Sequence, residues 1–216
     1  MLKLRIVIAD DHPLVLMGIR EVLERDPNVV VEAAAHSPSE LIQHLDRSAP
    51  DVVITDYHMP DDALHGDGIQ FIGLLLRRYP GVRLLVLTML SNPMIVASLY
   101  DAGVSGVILK QHDLTEVSQA LHTLRRGQRY YPPGFTKVRR GDRENPVQQR
   151  IDALTPREFE VLRLFVQGHA IGEIGEHLNR SIKTVSTQKT SAMRKLGVES
   201  NQALIGFCTE HGLFLN

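Results

Sequence analysis

The sequence predicts an α/β domain built on a parallel five-stranded sheet, followed by a small all-helical domain. Three observations predict it. Short apolar runs alternate with segments of helical periodicity through residues 4–126. Four of those runs end on a residue that carries chemistry. Beyond about residue 150 the strand-like runs stop, and only helical patterns with short turns remain.

The first strand reads Leu4-Arg5-Ile6-Val7-Ile8-Ala9 and runs into Asp10-Asp11. His12-Pro13 follows, and proline suits a first helical turn. Val15, Leu16, Ile19, Val22 and Leu23 then recur at helical spacing. Val29-Val30-Val31 opens the second strand. Ser37-Pro38-Ser39-Glu40 has the form of a capping box, so a helix starts there and turns Leu41, Ile42 and Leu45 inward. The third strand, Asp51-Val52-Val53-Ile54-Thr55, ends on Asp56. A third helix opens at Gly68, carries Ile69, Ile72, Leu75 and Leu76 on one face, and stops before Pro80. Leu84-Leu85-Val86-Leu87 leads to Thr88. Asn92-Pro93 starts a fourth helix that ends at Gly103, and Val107-Ile108-Leu109 leads to Lys110. Asp113 to Glu116 repeats the capping pattern, and the fifth helix buries Val117, Ala120, Leu121 and Leu124.

Five strands alternating with five helices imply a parallel sheet covered on both faces. Right-handed crossovers leave few topologies. The flavodoxin-like order 2-1-3-4-5 makes the first and third strands neighbours, and ligands bind outside the carboxyl ends of such strands, at the switch in order. Asp10, Asp11, Asp56, Thr88 and Lys110 therefore converge. Taken singly each is ordinary, since an Asp after a strand is commonly a turn former or a helix cap. Taken together, three carboxylates, a hydroxyl and an ammonium suit a divalent cation and a phosphoryl group. Crowded carboxylates hold protons, and a bound cation reverses that logic. Mg²⁺ accepts one or two carboxylates plus phosphate oxygens and water, so Asp10, Asp11 and Asp56 suit Mg²⁺. One carboxylate can then act as a nucleophile and form an acyl phosphate. Lys110 would neutralise phosphate oxygens, and the Thr88 hydroxyl would hydrogen-bond one.

The 216 residues leave room for one large domain or two smaller ones. No apolar run approaches the roughly 18–20 residues that cross a bilayer. The N-terminus runs straight into a strand with no signal-peptide pattern, so the expected location is the cytoplasm. The lone Cys208 has no internal disulfide partner, which agrees with a reducing compartment. Net charge is −1 but unevenly spread, with −4 over residues 1–129 and +3 over 130–216. An acidic front and a basic back point to different partners, with nucleic acid a candidate for the back.

Residues 128–150, with Tyr130-Tyr131-Pro132-Pro133-Gly134 and Arg139-Arg140-Gly141-Asp142-Arg143, lack periodicity and read as an exposed linker. The domains are then 1–127 and 151–216. Thr155-Pro156-Arg157-Glu158 is a capping box. Its helix buries Phe159, Val161, Leu162 and Phe165 and stops at Gly168. A short helix covers Ile171 to Leu178, and Asn179-Arg180-Ser181 is a turn. A helix from about Lys183 to Leu196 then ends at Gly197, a residue suited to the left-handed cap. A last helix carries Ala203, Leu204, Phe207 and Cys208. Two short helices joined by a tight turn, the second polar and basic, match a helix-turn-helix. Val185, Ala192, Met193 and Leu196 suit its inner face. Ser186, Thr187 and Thr190 lie opposite, where small hydroxyls reach base edges in a major groove. Lys183 and Lys189 suit phosphates, with Arg180 and Arg194 as further candidates. The same polar stripe also suits a solvated helix that binds nothing.

On these motifs residues 4–126 resemble a two-component receiver domain. The resemblance implies that Asp56 is the phosphoacceptor. It implies that Asp10, Asp11, Asp56 and the backbone carbonyl of His58 hold Mg²⁺, and that Thr88 and Lys110 contact the phosphoryl group. The implied donor is a histidine kinase or histidine phosphotransfer protein. Three features depart from the pattern. Val107 stands where receivers usually carry an aromatic switch residue. Gln111 follows the lysine where many relatives have proline, so no cis peptide is expected there. The loop Asp61-Asp62-Ala63-Leu64-His65-Gly66-Asp67-Gly68 is long, and reads either as a solvated surface loop or as a gate or partner contact.

Residues 152–212 resemble a LuxR-type helix-turn-helix domain, an all-α four-helix fold. The matching stretches are Leu154-Thr155-Pro156-Arg157-Glu158, Val161-Leu162, Ile171-Gly172-Glu173-Ile174, Lys183-Thr184-Val185 and Lys195-Leu196-Gly197-Val198. Members bind DNA as dimers; Gln188 stands where the family usually has His. The whole chain resembles the NarL/FixJ class of response regulators. Gly66-Asp67-Gly68, Val107-Ile108-Leu109-Lys110-Gln111, Asn179-Arg180-Ser181-Ile182-Lys183-Thr184 and Ser191-Ala192-Met193 narrow the likeness to the Rcs-phosphorelay branch. That branch implies homodimers, heterodimers with auxiliary LuxR-type regulators, and activity partly independent of phosphate.

The expected protein is therefore a phosphorylation-regulated transcription factor, not an enzyme, acting on a palindromic or pseudo-palindromic operator. A Mg²⁺-dependent phosphohydrolase also wants a strand-end Asp nucleophile, but its general acid belongs two residues later, where this chain has His58. A phosphate-independent DNA-binding module with a vestigial receiver is a further reading; the intact five-residue set speaks against it and Val107 for it.

Overall fold

The computed structural model describes residues 3–59, 62, 64–89, 93–111, 113, 115–135, 146–211, 213 and 214. The chain separates into two compact units, 1–91 with 99–135, and 92–98 with 136–216.

In the first unit β1 (Leu4–Ala9), β2 (Val29–Ala35), β3 (Val52–Asp56), β4 (Arg83–Thr88) and β5 (Gly106–Leu109) form one parallel sheet in the order β2-β1-β3-β4-β5. This is the order the sequence predicts. The helices α1 (Pro13–Glu24), α2 (Pro38–Arg47), α3 (Gly68–Arg78), α4 (Pro93–Ala102) and α5 (Thr115–Arg125) alternate with the strands along the chain, α4 being divided between the units at residues 98 and 99. Side chains alternate across a strand, so each strand feeds two cores. Ile6, Ile8, Val52, Ile54, Leu85, Leu87 and Ile108 pack with α1 and α5 residues such as Ile19 and Leu121. On the other face Val53 and Leu84 meet Leu45 of α2 and Leu75 and Leu76 of α3.

Local details depart from the sequence reading. Ser37 caps α2 by accepting from Glu40 N at 3.2 Å, but the Glu40 carboxylate accepts from His36 N at 2.7 Å, so the box closes one residue early. α3 buries Phe71 with Ile72 and Leu75, while Ile69 and Leu76 are half-buried. Asn92, expected to start α4, lies outside the described residues, as do Pro60, Asp61 and Ala63 of the long loop.

The linker reading differs at both ends. Tyr130 forms an isolated bridge with Gly106 at the open edge of β5, and its N–H donates to Ser105 O at 3.0 Å. The Tyr100 hydroxyl donates to Tyr130 O at 2.5 Å and accepts from Val107 N at 3.2 Å. A Cβ on Gly106 would lie 3.0 Å from Tyr130 Cβ and 3.1 Å from Tyr130 O, so glycine permits this close seam. Residues 130–135 therefore continue the first unit, and Tyr131 and Phe135 stack at 6.0 Å. At the far end, Pro146–Asp152 is a helix, α6. Residues 136–145, with the Arg139–Arg143 stretch, lie outside the described residues.

α6 precedes the four helices the sequence predicts: α7 (Pro156–Val166), α8 (Ile171–His177), α9 (Ile182–Leu196) and α10 (Asn201–Glu210). The Thr155 box is complete: Glu158 N donates to Thr155 Oγ1 at 3.2 Å and Thr155 N donates to Glu158 Oε2 at 2.7 Å. Val161, Leu164, Ile174, Leu178 and Val185 form the core beneath α8 and α9, with Phe165 half-buried against it. Leu204 and Cys208 face inward from α10, whereas Ala203 is exposed. Burial raises the Cys208 thiol to about 11, so it stays protonated and inert. Among the described residues no helix is long and apolar enough to cross a membrane, and no peptide bond is cis.

Candidate functional site

The sheet order brings the strand tips together. Asp10 follows β1, Asp56 ends β3, Thr88 ends β4 and Lys110 follows β5. Backbone bonds lock these tips in register: Tyr57 N donates to Leu87 O at 2.8 Å, and Lys110 N donates to Thr88 O at 2.9 Å. The Lys110 ammonium lies 2.7 Å from Asp56 Oδ2 and 2.7 Å from Asp10 Oδ2. It hydrogen-bonds Asp56. Asp10 Oδ2 is buried and in ion-pair contact with Lys110, but no hydrogen bond of acceptable geometry reaches it. Asp10 Oδ1 accepts from His12 N at 3.0 Å. Thr88 is buried at the end of β4, in register with Leu109, the residue before Lys110.

Asp10, Asp11, His12 and Asp56 each offer one donor atom within 4.8 Å of the others. The sequence singles out the three carboxylates and marks His12 only as the residue before a helix. Its imidazole in fact meets Asp11 Oδ1 at 2.8 Å. The adjacency Asp10-Asp11-His12 is the signal that could have found it.

Electrostatics follow from burial. Burial pushes the Asp56 carboxyl up to about 6, helped by the neighbouring Asp10 charge; Lys110 and the His58 backbone N–H pull the other way. Burial alone would lower the Lys110 ammonium, but Asp56 and Asp10 outweigh it and hold it above its ordinary value. Such a cluster is short of positive charge. The carboxylate oxygens of Asp10, Asp11 and Asp56 are hard donors, and Asp10 Oδ2 accepts no hydrogen bond, which fits a small divalent cation such as Mg²⁺.

The long loop is anchored, not merely solvated. Asp62 Oδ2 accepts from Ser39 N at 2.6 Å, and Asp62 Oδ1 accepts from Leu64 N and His65 N at 3.0 Å each. Burial raises the Asp62 carboxyl, but these bonds prevail and hold it below its usual range. Asp67 pairs with His58.

On the second unit, Lys183, Ser186, Thr187, Thr190 and Arg194 are exposed along α9, at the spacing of one helical face. Arg180 is exposed in the turn before it. Ile182, 62% exposed, extends the face at the helix start, and no pattern in the sequence marks it. Lys189 lies at the border of this face with its side chain engaged elsewhere. Its ammonium sits 3.5 Å above the Phe165 ring and donates to Asn201 Oδ1 at 2.6 Å. Gly175 sets the angle of the two helices, because a Cβ there would lie 2.8 Å from Arg180 O.

Comparison with known proteins places both halves. Residues 6–122 match the response regulator receiver domain, and residues 152–208 match bacterial regulatory proteins of the luxR family. The transcriptional regulatory protein RcsB of Escherichia coli K12 is 40% identical over 212 residues, covering 95% of this chain and 94% of that protein. RcsB from Salmonella enterica serovar Typhimurium, bound to promoter rprA in the presence of phosphomimetic BeF3⁻, superposes with a TM-score of 0.78 at 39% identity. That match covers 96% of this chain and 99% of the other. A structure of two RcsB dimers bound to two parallel DNAs gives a TM-score of 0.77 at 40% identity, covering 95% and 98%.

Proposed function

Because the chain belongs to the response regulators, with a receiver domain and a LuxR-family domain, we propose that it is a phosphorylation-regulated DNA-binding transcription regulator with Asp56 as phosphoacceptor. The observation that carries this is the Lys110 ammonium, held 2.7 Å from both Asp56 and Asp10 at the tips of three strands. A phosphoryl group arriving at Asp56 meets a cation already in place.

Asp10, Asp11, Asp56 and the His58 carbonyl would hold Mg²⁺, which supplies charge neutralisation to phosphoryl oxygens. The chain's own residues do the rest. Asp56 in its ionised form attacks phosphorus through one carboxylate oxygen. The new O–P bond makes an acyl phosphate, and the bond to the donor's leaving group breaks with its electron pair. Lys110 leaves its pairing with the free carboxylate and neutralises a phosphoryl oxygen. The Thr88 hydroxyl donates to another. Local charge changes of this kind bias a two-state surface. The donor is a histidine kinase or a histidine phosphotransfer protein.

The α9 face reads DNA. Ser186, Thr187 and Thr190 face base edges, with Ile182 beside them; Lys183 and Arg194 neutralise phosphates. Two copies on a palindromic or pseudo-palindromic operator double these contacts. RcsB supports this reading, being solved as dimers on DNA. Heterodimers with auxiliary LuxR-type regulators and a cytoplasmic location belong to the same reading. The protein acts by binding, without turnover of a substrate. The phosphohydrolase reading wants an aspartic acid two residues after the nucleophile as general acid, and this chain has His58 there.

The deciding experiment treats wild type and Asp56→Asn with acetyl phosphate and Mg²⁺, and selects bound DNA sequences from each. Wild type acquires one phosphoryl group and gains DNA affinity; Asp56→Asn acquires none. Labelling of Asp56→Asn, or no gain in wild type, would refute the assignment.

A further inference from the structure

An aspartate at a helix N-cap ordinarily turns back onto first-turn amides, a contact that contributes about 1 kcal/mol. Asp67, the N-cap of α3, does not: its side chain makes no capping bond. Its Oδ2 instead meets His58 Nδ1, and the carboxylate is 1% exposed. One residue on, Gly68 N donates to Tyr57 O at 2.9 Å. Gly68 has φ 61°, a conformation suited to glycine. The two residues after Asp56 are thus stapled, one after the other, to the two residues that open α3. Asp62 is tied to the first turn of α2 through Ser39 N, and to the loop itself through His65 N.

His58 occupies a critical place. Its backbone N–H donates to the Asp56 carboxylate, and its carbonyl is the non-carboxylate ligand assigned above. A carbonyl on a free loop must be ordered when a cation arrives, whereas a carbonyl already fixed contributes its full affinity. Residues that orient metal ligands typically govern 10- to 100-fold in affinity.

We propose that Asp67 is a positioning residue of the phosphoryl site: through His58 it holds the backbone of residues 57 and 58 in the geometry that Asp56 and the cation require. The long loop is then a clasp that delivers Asp67 to His58. This rests on the assignment of Asp10, Asp11 and Asp56 to that site.

The test uses the full-length protein without phosphodonor. Mn²⁺ stands in for Mg²⁺, and the free ion is read by electron paramagnetic resonance. Asp67→Ala and His58→Ala each weaken Mn²⁺ binding about 10-fold, and the double variant is no weaker than the weaker single variant. Asp67→Asn, which keeps an oxygen acceptor for the imidazole, restores binding to within about 2-fold of wild type. Unchanged affinity in both alanine variants, or losses that multiply to about 100-fold in the double, overturn the proposal. Should either single alanine variant fail to melt cooperatively, the Asp67→Ala/His58→Ala double variant decides, since removing both partners leaves no buried carboxylate unpaired; wild-type Mn²⁺ affinity in that variant overturns the proposal. Asp10→Asn and Asp56→Asn serve as controls. If they leave Mn²⁺ binding intact, the site assignment itself fails, and this failure is distinct from one confined to Asp67.

Discussion

Lys110 Nζ hydrogen-bonds Asp56 Oδ2 at 2.7 Å, with only 12% of the lysine side chain exposed. The same ammonium lies 2.7 Å from buried Asp10. Lys110→Met leaves two buried carboxylates facing each other without compensation. Removing one partner of a buried pair costs roughly 3–5 kcal/mol. The expected loss at pH 7.5 is of that order, and it shrinks towards pH 4.5 as Asp56 takes up its proton. Urea unfolding at the two pH values measures it. A loss equal at both would place the defect in packing instead of charge.

Asp56 carries the opposite sign. Its carboxyl rises from 3.8 to about 6 on folding, so the folded state binds the proton more tightly than the unfolded chain. The associated stability is present below pH 4 and is lost as pH rises through 6. A rise of about two in pKa corresponds to roughly 3 kcal/mol. In EDTA, Asp56→Asn should be more stable than wild type by about 1–3 kcal/mol at pH 7.5, and the gap should close near pH 4. Divalent cation should stabilise wild type more than the variant. A gap that does not change with pH would separate the Asp56 charge from the cost of its burial.

On α9, exposure divides the basic residues. Lys183 and Arg194 are exposed; Lys189 is held by Phe165 and Asn201. Each phosphate contact contributes about 0.9 to the slope of log K against log salt. Lys183→Ala and Arg194→Ala should each lower the slope by about that amount. Lys189→Met should leave it unchanged while lowering the thermal midpoint, because it removes a contact that ties α9 to α7 and α10. A shallower slope for Lys189→Met would return Lys189 to the DNA contacts.

These sites differ in how legible they are in the sequence. Asp10, Asp56, Thr88 and Lys110 can be read because buried parallel strands are near-continuous apolar runs, and the residue after each run lands at one edge of the sheet. Handedness then leaves few strand orders, and 2-1-3-4-5 brings these residues together. Lys189 cannot be read the same way. Helical spacing puts it near the polar face, and its Phe165 and Asn201 partners lie on other helices. The Asp67–His58 pair is hidden because an Asp before Gly68 signals an ordinary cap. Spacing alone defines a capping box, so Glu40 reads as closing on Ser37; its carboxylate reaches His36 instead. α6 escapes because Pro146–Asp152 carries only two apolar residues after its proline, Val147 and Ile151, too few to show a period.

Gly175 tests whether the angle between α8 and α9 governs DNA binding. It is buried in α8, and the turn that leads into α9 crosses directly over it. A Cβ there would lie 2.8 Å from Arg180 O and 3.7 Å from Ile182 N. The first clash is with backbone, so no side-chain rotation relieves it. The turn is further fixed by Asn179 at φ 51° and by Ser181, whose Oγ accepts from Thr184 N at 3.1 Å. Gly175→Ala must therefore push the start of α9 outward. Overpacking of this kind typically costs about 1–3 kcal/mol. The DNA face begins at Ile182 and Lys183, so the displacement falls where base contacts start. The expected result is at least a roughly 10-fold loss of DNA affinity with normal acyl-phosphate formation at Asp56, measured on one preparation. Wild-type affinity in a stably folded Gly175→Ala variant would show that the helix pair tolerates a shifted angle.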